Sequence, residues 1–388
     1  MFGKSFQLFE ILGFKVKIDI SWFFVAILVA WSLADPHGLF PTLHPGLSRT
    51  TYWITGIVGA LGLFTSVVLH ELSHSLVARR FGLPIRGITL FIFGGVAEMS
   101  DEPPTPKAEF WVAVAGPASS IGIGLACLLL KIAGTAAGWP APVTMVLYYL
   151  AMINGVLVLF NLIPAFPLDG GRVLRSILWG SKGDLRWATR LTTTIGSGFG
   201  LVLIALGIVS FLFGDLIGGL WWFLIGLFLR HAAQGSYQQL LLKKALEGEP
   251  VSRFMEQNPI VVQRSLSVAD LVEQYIYKHH YKLFPVVDGD RLVGSVSTRA
   301  VRELPRDEWE RQTVGRIAED LTGDNTVTPD SDALQALAIM NRQGLSRLLV
   351  VDAGKLVGIL TLKDLLQFFA LKVELEGEGH SSRDSHAA

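Results

Sequence analysis

Cysteine and charged residues are both scarce in this chain of 388 residues. The single cysteine, Cys127, cannot form an internal disulfide, which excludes a disulfide-stabilised scaffold. Only 17% of the residues are charged, against about a quarter in soluble proteins. The 33 basic and 33 acidic residues cancel. A net charge of zero gives no electrostatic reason for binding nucleic acid, so no nucleic-acid partner is predicted.

Hydrophobic residues are abundant instead, at 51% of the chain, and nearly all of the excess precedes residue 232. A helix needs about 20 apolar residues to cross a hydrocarbon core of roughly 30 Å. Residues 1–235 are therefore predicted to form a polytopic α-helical membrane domain. The first apolar run is too long for a cleaved signal peptide and is interpreted as a retained span. The six predicted spans are 19–35, 52–78, 109–133, 143–163, 190–213 and 215–232.

Basic residues alternate between the predicted loops. They are frequent before the first span, between the second and third, between the fourth and fifth, and after the sixth. The other loops hold only Arg49 and, at one edge, Lys131. Because lysine and arginine mark the cytoplasmic side, both termini are predicted to be cytoplasmic in a multi-pass protein of the cell membrane. This agrees with an even number of spans.

The most informative motif is HELSH at residues 70–74, which follows a stretch, 51–69, without any charged residue. In a helix, His70 and His74 lie one turn apart on one face, where both imidazoles can reach one metal ion. Glu71 lies beside them, close enough to act on a water. The alternative is a helix with polar residues that face another helix. Inside a membrane span that alternative requires a buried partner for each side chain, so the metal site is favoured.

A catalytic zinc site normally has three protein ligands, and two histidines supply two of them. The best candidate for the third is Asp169, in the segment NLIPAFPLDGG at 161–171. Pro164 and Pro167 are expected to end the fourth helix, and Gly170 and Gly171 to form a tight turn beside the carboxylate. The alternative is that Asp169 faces solvent in a loop.

Together, H-E-x-x-H and N-x-x-P-x-x-x-x-D-G two spans later resemble the site-2 protease family of intramembrane zinc metalloproteases, over residues 10–235. The resemblance implies one Zn²⁺ held by His70, His74 and Asp169, with Glu71 as catalytic acid and base. It implies that Asn161 positions the substrate or the developing oxyanion. It also implies regulated cleavage of membrane-tethered, single-span proteins within the lipid bilayer. The family's short re-entrant β segment corresponds to residues 87–98, which are either a substrate-binding strand or loop packing.

Beyond residue 249 the sequence changes to β-rich runs that repeat at an offset of 64 residues. FPVVD at 284–288 with LVG at 292–294 matches LLVVD at 348–352 with LVG at 356–358. This region resembles a tandem pair of α/β cystathionine-β-synthase (CBS) domains. The predicted boundaries are a linker at 236–249, CBS domain 1 at 250–310, CBS domain 2 at 311–372 and a disordered tail at 373–388.

Such pairs bind adenosine nucleotides, and the resemblance implies ATP, ADP or AMP as a ligand. The residues implied are Gly358, Thr361 and Asp364 of the second copy. The first copy has Ala300 where Asp is expected, which predicts at most one competent site. The alternative is a degenerate pair that serves only to form a homodimer.

Two other functions compete with proteolysis. A transporter or channel regulated by the CBS pair predicts charged residues at the middle of several spans, and the sequence does not show them. An inactive relative that binds membrane clients is argued against by the presence of Glu71.

Overall fold

The computed structural model describes residues 5–92, 94–99, 102–289 and 291–376. The chain forms two compact units, Met1–Gln238 and Gln239–Ala388. The first unit holds the apolar helices and a small sheet, and the second holds two mixed sheets.

Long helices dominate the first unit, and among the described residues there are six helical spans, the first formed by α1 and α2 together, that are long and apolar enough to cross a membrane. This confirms the predicted number. Large apolar side chains on them are exposed, such as Leu159 at 74% and Ile27 at 69%, as expected of a lipid-facing surface. The helices are α1 (Ile20–Ala34), α2 (Leu39–Leu43), α3 (Arg49–Arg80), α4 (Pro106–Ala136), α5 (Ala141–Asn161), α6 (Asp169–Lys182), α7 (Leu185–Leu212) and α8 (Leu216–Leu246).

A four-stranded sheet, in the order β1-β2-β3-β4, packs against α3. The predicted β segment at 87–98 forms its second hairpin. The first hairpin was not predicted, because its alternating residues lie next to the stronger hydrophobic signal of the first span. Alternation shows it: Phe14, Val16 and Ile18 are buried on α3, whereas Lys15 and Lys17 point away. The strands are β1 (Ser5–Ile11), β2 (Phe14–Asp19), β3 (Ile85–Phe91) and β4 (Gly94–Met99).

The second unit contains two α/β modules with separate cores. Its sheets have the orders β6-β7-β8-β9 and β10-β11-β12-β5. The strands are β5 (Glu256–Gln257), β6 (Val262–Gln263), β7 (Leu283–Asp288), β8 (Arg291–Ser297), β9 (Glu319–Asp320), β10 (Thr326–Val327), β11 (Arg347–Asp352) and β12 (Lys355–Thr361). The helices are α9 (Val268–Asp270), α10 (Tyr277–His279), α11 (Thr298–Glu303), α12 (Val314–Ile317), α13 (Ala333–Gln343) and α14 (Leu362–Glu376), with a π-helix at Leu271–Ile276 and 3₁₀ turns at Val251–Arg253 and Arg306–Glu308.

The modules exchange their outer strands. The strand β5 pairs with β12 of the second module, and β9 pairs with β8 of the first. A boundary between residues 310 and 311 therefore does not separate the two sheets. The predicted linker at 236–249 is helical up to Leu246, because it contains no glycine or proline before Gly248. Residues 373–376 of the predicted tail are also helical, and 377–388 lie outside the described residues.

Candidate metal centre

The helix α3 presents both imidazoles on its buried face. Ser48 caps the start of the helix, where its hydroxyl accepts a hydrogen bond from the Thr51 amide. Val68 and Leu72 on the same helix pack against the sheet, which fixes the rotation of α3. His70 and His74 are 6% and 4% exposed. The spacing of four residues between the two histidines thus places both rings on the same buried face of α3.

Three donor atoms meet at this face. His70 Nε2, His74 Nε2 and Asp169 Oδ2 lie 3.2 Å from one another along all three edges. Within the described residues, these three side chains form the one buried group with the composition of a metal site. The structure thus brings Asp169 to the histidines, and the solvent-facing alternative does not hold in this structure.

Hydrogen bonds on the far sides of the rings hold both imidazoles in place. His74 Nδ1 is 2.6 Å from the carbonyl oxygen of Val112, which can only accept, so Nδ1 carries the proton. In the neutral ring, Nε2 then points a lone pair at Asp169. His70 Nδ1 lies 3.0 Å from Ser120 Oγ, a hydroxyl that can accept or donate. Two imidazole nitrogens and a carboxylate oxygen converge, which is a donor set for a cation.

The space between the ligands fits a metal ion. A tetrahedral zinc ion with bonds of about 2.0–2.1 Å needs donor atoms roughly 3.3 Å apart, close to the 3.2 Å observed. Gly116 of α4 faces this space. A Cβ at that position would lie 2.2 Å from His74 Nε2 and 2.6 Å from His70 Nε2. Glycine is therefore required there if the ion is to bind.

Asp169 is the first residue of α6. The tight turn predicted at Gly170 and Gly171 was wrong, since both are helical. They are needed because a Cβ on either would lie 2.3 Å from backbone atoms of the 162–168 segment.

The other two predicted catalytic residues, Glu71 and Asn161, lie on α3 and α5. Glu71 packs against β4, where a Cβ on Gly95 would lie 2.4 Å from Glu71 Cγ. Asn161 is the last residue of α5 and is half-buried. Its side chain makes no hydrogen bond within the described residues. The structure thus leaves the Asn161 amide available but shows no contact between it and the three ligands.

Sequence reasoning missed the contribution of α4. Val112, Gly116 and Ser120 follow one another at intervals of four residues, so they lie on one face of this helix and all contact the histidine pair. A signal was present in the segment AGPASS at 115–120, where small and polar residues interrupt a long apolar span. Such residues mark close helix packing within a membrane.

The chain is similar in sequence to known zinc metalloproteases. The model of Peptidase family M50 matches residues 58–138 and 129–207. A candidate zinc metalloprotease of Synechocystis is 35% identical over 94% of this chain and 95% of its own length. The chain belongs to peptidase family M50. A zinc metalloprotease of Methanocaldococcus jannaschii is 30% identical to this M50 chain, over 96% and 98% of the two lengths.

A solved site-2 protease from Methanocaldococcus jannaschii is 32% identical to this M50 chain, covers 60% of it and 94% of that structure, and has a TM-score of 0.40. The CBS domain model matches residues 251–307 and 318–371. The chain is therefore a zinc metalloprotease of peptidase family M50 with a CBS pair, and six helices among its described residues are long and apolar enough to span a membrane.

In the CBS pair of this M50 chain, the predicted nucleotide residues bind one another. Thr361 Oγ1 donates to Asp364 Oδ2 at 2.6 Å, and Thr361 Oγ1 accepts from the Asp364 amide at 3.2 Å. This is a reciprocal cap at the start of α14. In the first copy Ser297 caps the Ala300 amide alone. Helix capping alone therefore explains why Thr361 and Asp364 are present, without a bound nucleotide. Gly358 lies in β12, opposite Gln257 of β5.

Proposed function

We propose that this chain cleaves peptide bonds within or near the transmembrane segments of membrane-tethered proteins. The observation that carries the proposal is the convergence of His70, His74 and Asp169 between helices that are apolar enough to span a membrane. Regulated intramembrane proteolysis of single-span proteins is the activity that fits such a site.

In this proposal the three residues hold one zinc ion, which when bound polarises the scissile carbonyl and activates water. Glu71 takes a proton from the attacking water and later gives one to the leaving amine. Asn161 donates a hydrogen bond to the developing oxyanion without adding charge. Its amide has no competing partner in the described residues, which supports this role.

We propose that the substrate binds as an extended strand along β4. This strand lies at the edge of its sheet, and Gly95 brings its backbone against Glu71. Backbone hydrogen bonds at a sheet edge bind any extended chain and leave specificity to side-chain pockets. An apolar cavity of about 200 Å³ adjoins the strand, lined by Gly94 and by residues of α1, α3 and α5 that include Trp22, Ala60 and Leu157. It suits a large apolar side chain.

Co-expression with a library of single-span membrane proteins tests the proposal. Glu71→Gln keeps the size of the side chain but removes the base, so we expect it to retain zinc and to lose cleavage by at least about 100-fold. Cleavage products are followed by immunoblot, and zinc in the purified protein by mass spectrometry. Substantial turnover by the glutamine variant would refute the role of Glu71.

We further propose that the termini and the CBS pair are cytoplasmic, as the basic loops indicate. Adenine nucleotide binding at Gly358, Thr361 and Asp364 is proposed to regulate proteolysis, and the pair to support a homodimer. Titration calorimetry of the purified chain with ATP, ADP and AMP measures the binding. Unchanged proteolysis across physiological nucleotide concentrations would remove the regulatory role.

A further inference from the structure

A buried ion pair joins α4 to α6 away from the metal ligands. The guanidinium of Arg175 donates through Nε to Glu109 Oε1 at 2.6 Å, and Nη2 of the same group lies 2.5 Å from that oxygen. Glu109 is fully buried and Arg175 is 4% exposed. Glu102 Oε2 approaches Nη2 at 3.3 Å. Two nitrogens of the guanidinium fork thus converge on one carboxylate oxygen, which constrains the separation of the two helices.

Stability alone does not explain this pair. Desolvation of two buried charges costs several kcal/mol each, and apolar residues of similar volume are often as stabilising. Glu109 Oε2, moreover, is buried and accepts no hydrogen bond within the described residues. Arg175 is the one guanidinium that contacts this carboxylate in the part of the chain that the structure describes. A contact that is costly and geometrically specific indicates that the pair positions α4 and α6 relative to each other.

On the α4 side, the pair is in register with the histidines. Glu109, Val112, Gly116 and Ser120 follow one another at spacings of three and four residues, so they lie on one face of α4. Val112 holds the His74 ring and Ser120 holds the His70 ring. The position of α4 therefore sets the direction of both imidazoles.

On the α6 side, the pair is coupled to the third ligand. Arg175 lies on the helix that begins with Asp169. Its guanidinium carbon also lies 5.0 Å from the ring centroid of Phe166, in the segment that leads into Asp169. Arg175 thus contacts α4 with its charge and the approach to Asp169 with its flat face.

We propose that Arg175 and Glu109 are positioning residues that set the separation of Asp169 from His70 and His74, and thereby the affinity for zinc. The inference rests on the proposed zinc site. Outer contacts of this kind are typically worth 10–100-fold in metal affinity. Among the described residues, neither side chain forms a hydrogen bond or ion pair with His70, His74 or Asp169.

The test is chelator competition on the full chain in detergent, which gives a zinc dissociation constant, together with the melting temperature of the metal-free protein. Arg175→Met leaves Glu109 buried without its partner and is expected to be unstable. The double variant Arg175→Met/Glu109→Leu replaces the pair by apolar contacts. We expect it to melt near the wild-type temperature yet to bind zinc 10–100-fold more weakly. Arg175→Lys keeps the charge but loses the fork, so an intermediate loss is expected.

Two controls separate the possible failures. Arg80→Met makes the same change at an exposed arginine at the end of α3 and is expected to leave zinc affinity unchanged. Asp169→Ala tests the site itself. If Asp169→Ala loses zinc while the double variant or Arg175→Lys binds it as tightly as wild type, the positioning role is overturned and the site stands. If Asp169→Ala also retains wild-type affinity, the zinc site has failed.

Discussion

At the scale of single residues, the metal centre depends as much on a missing side chain as on the ligands. HELSH predicts two ligands, but any side chain larger than that of glycine at position 116 would fill the space between them. Glycine in the middle of a helix is normally destabilising by roughly 0.5–1 kcal/mol relative to alanine. At Gly116 a larger residue would collide with His74 Nε2 and His70 Nε2.

Gly116→Ala therefore separates metal binding from helix stability. The added methyl group would collide with His74 Nε2 and His70 Nε2, so we expect zinc content to fall at least about tenfold. Gly122→Ala is the matched control, because a Cβ at that position of α4 meets nothing within 4 Å. It should keep full zinc. Metal analysis of both purified variants decides the matter, and equal zinc content in the two would contradict the assigned role of Gly116.

At the scale of elements, the polar side chains at the start of α14 can be explained in two ways, as a helix cap or as a nucleotide site. The side chains of Thr361 and Asp364 cap α14 by reciprocal hydrogen bonds. The same two groups are those proposed to bind a nucleotide. Capping requires no ligand, whereas ligand binding would require these groups to exchange or share partners. A comparison with a second capped helix in the same unit distinguishes the two explanations.

The variants Asp364→Ala and Asp332→Ala make that comparison. Asp332 caps α13 by accepting from the Leu334 and Gln335 amides. Asp332→Ala removes an N-cap and is expected to destabilise by about 1 kcal/mol, whereas Asp364→Ala keeps the Thr361 cap and loses only the return hydrogen bond to the Thr361 amide. The nucleotide proposal expects only Asp364→Ala to weaken AMP or ATP binding, by at least about tenfold in calorimetry. Equal nucleotide affinity in both variants would leave capping as the sole role of Asp364.

At the scale of the whole molecule, the orientation in the membrane follows from charges outside the spans. One of the basic residues counted for this purpose, Arg175, is buried in an ion pair and does not mark a surface. The remaining basic residues between spans four and five still give that loop an excess. The predicted orientation therefore does not depend on Arg175.

The single native cysteine makes this orientation measurable. In a Cys127→Ala background, we expect Ala137→Cys, after α4, to react with a membrane-impermeant maleimide on intact cells. Ser181→Cys, near the end of α6, should react only after the cells are permeabilised. Both positions are exposed. Labelling of Ser181→Cys on intact cells, with Ala137→Cys protected, would reverse the proposed topology.

Local patterns were sufficient to predict the helices, the histidine pair and the repeated α/β modules. A 20-residue apolar run, an i, i+4 spacing and a 64-residue offset are each properties of the sequence itself. Asp169 was predicted only through a motif in a distant segment. The first hairpin was missed because its alternating residues lie next to a stronger hydrophobic signal.

The sequence by itself determined which groups are available to bind a metal and which segments are apolar enough to lie in lipid. Tertiary structure decided that α4 supplies Val112, Gly116 and Ser120 to the histidines, and that Arg175 pairs with Glu109 rather than facing water. The physical reason is distance along the chain. Contacts between residues 38 to 66 positions apart depend on how helices pack, and no local periodicity encodes that packing.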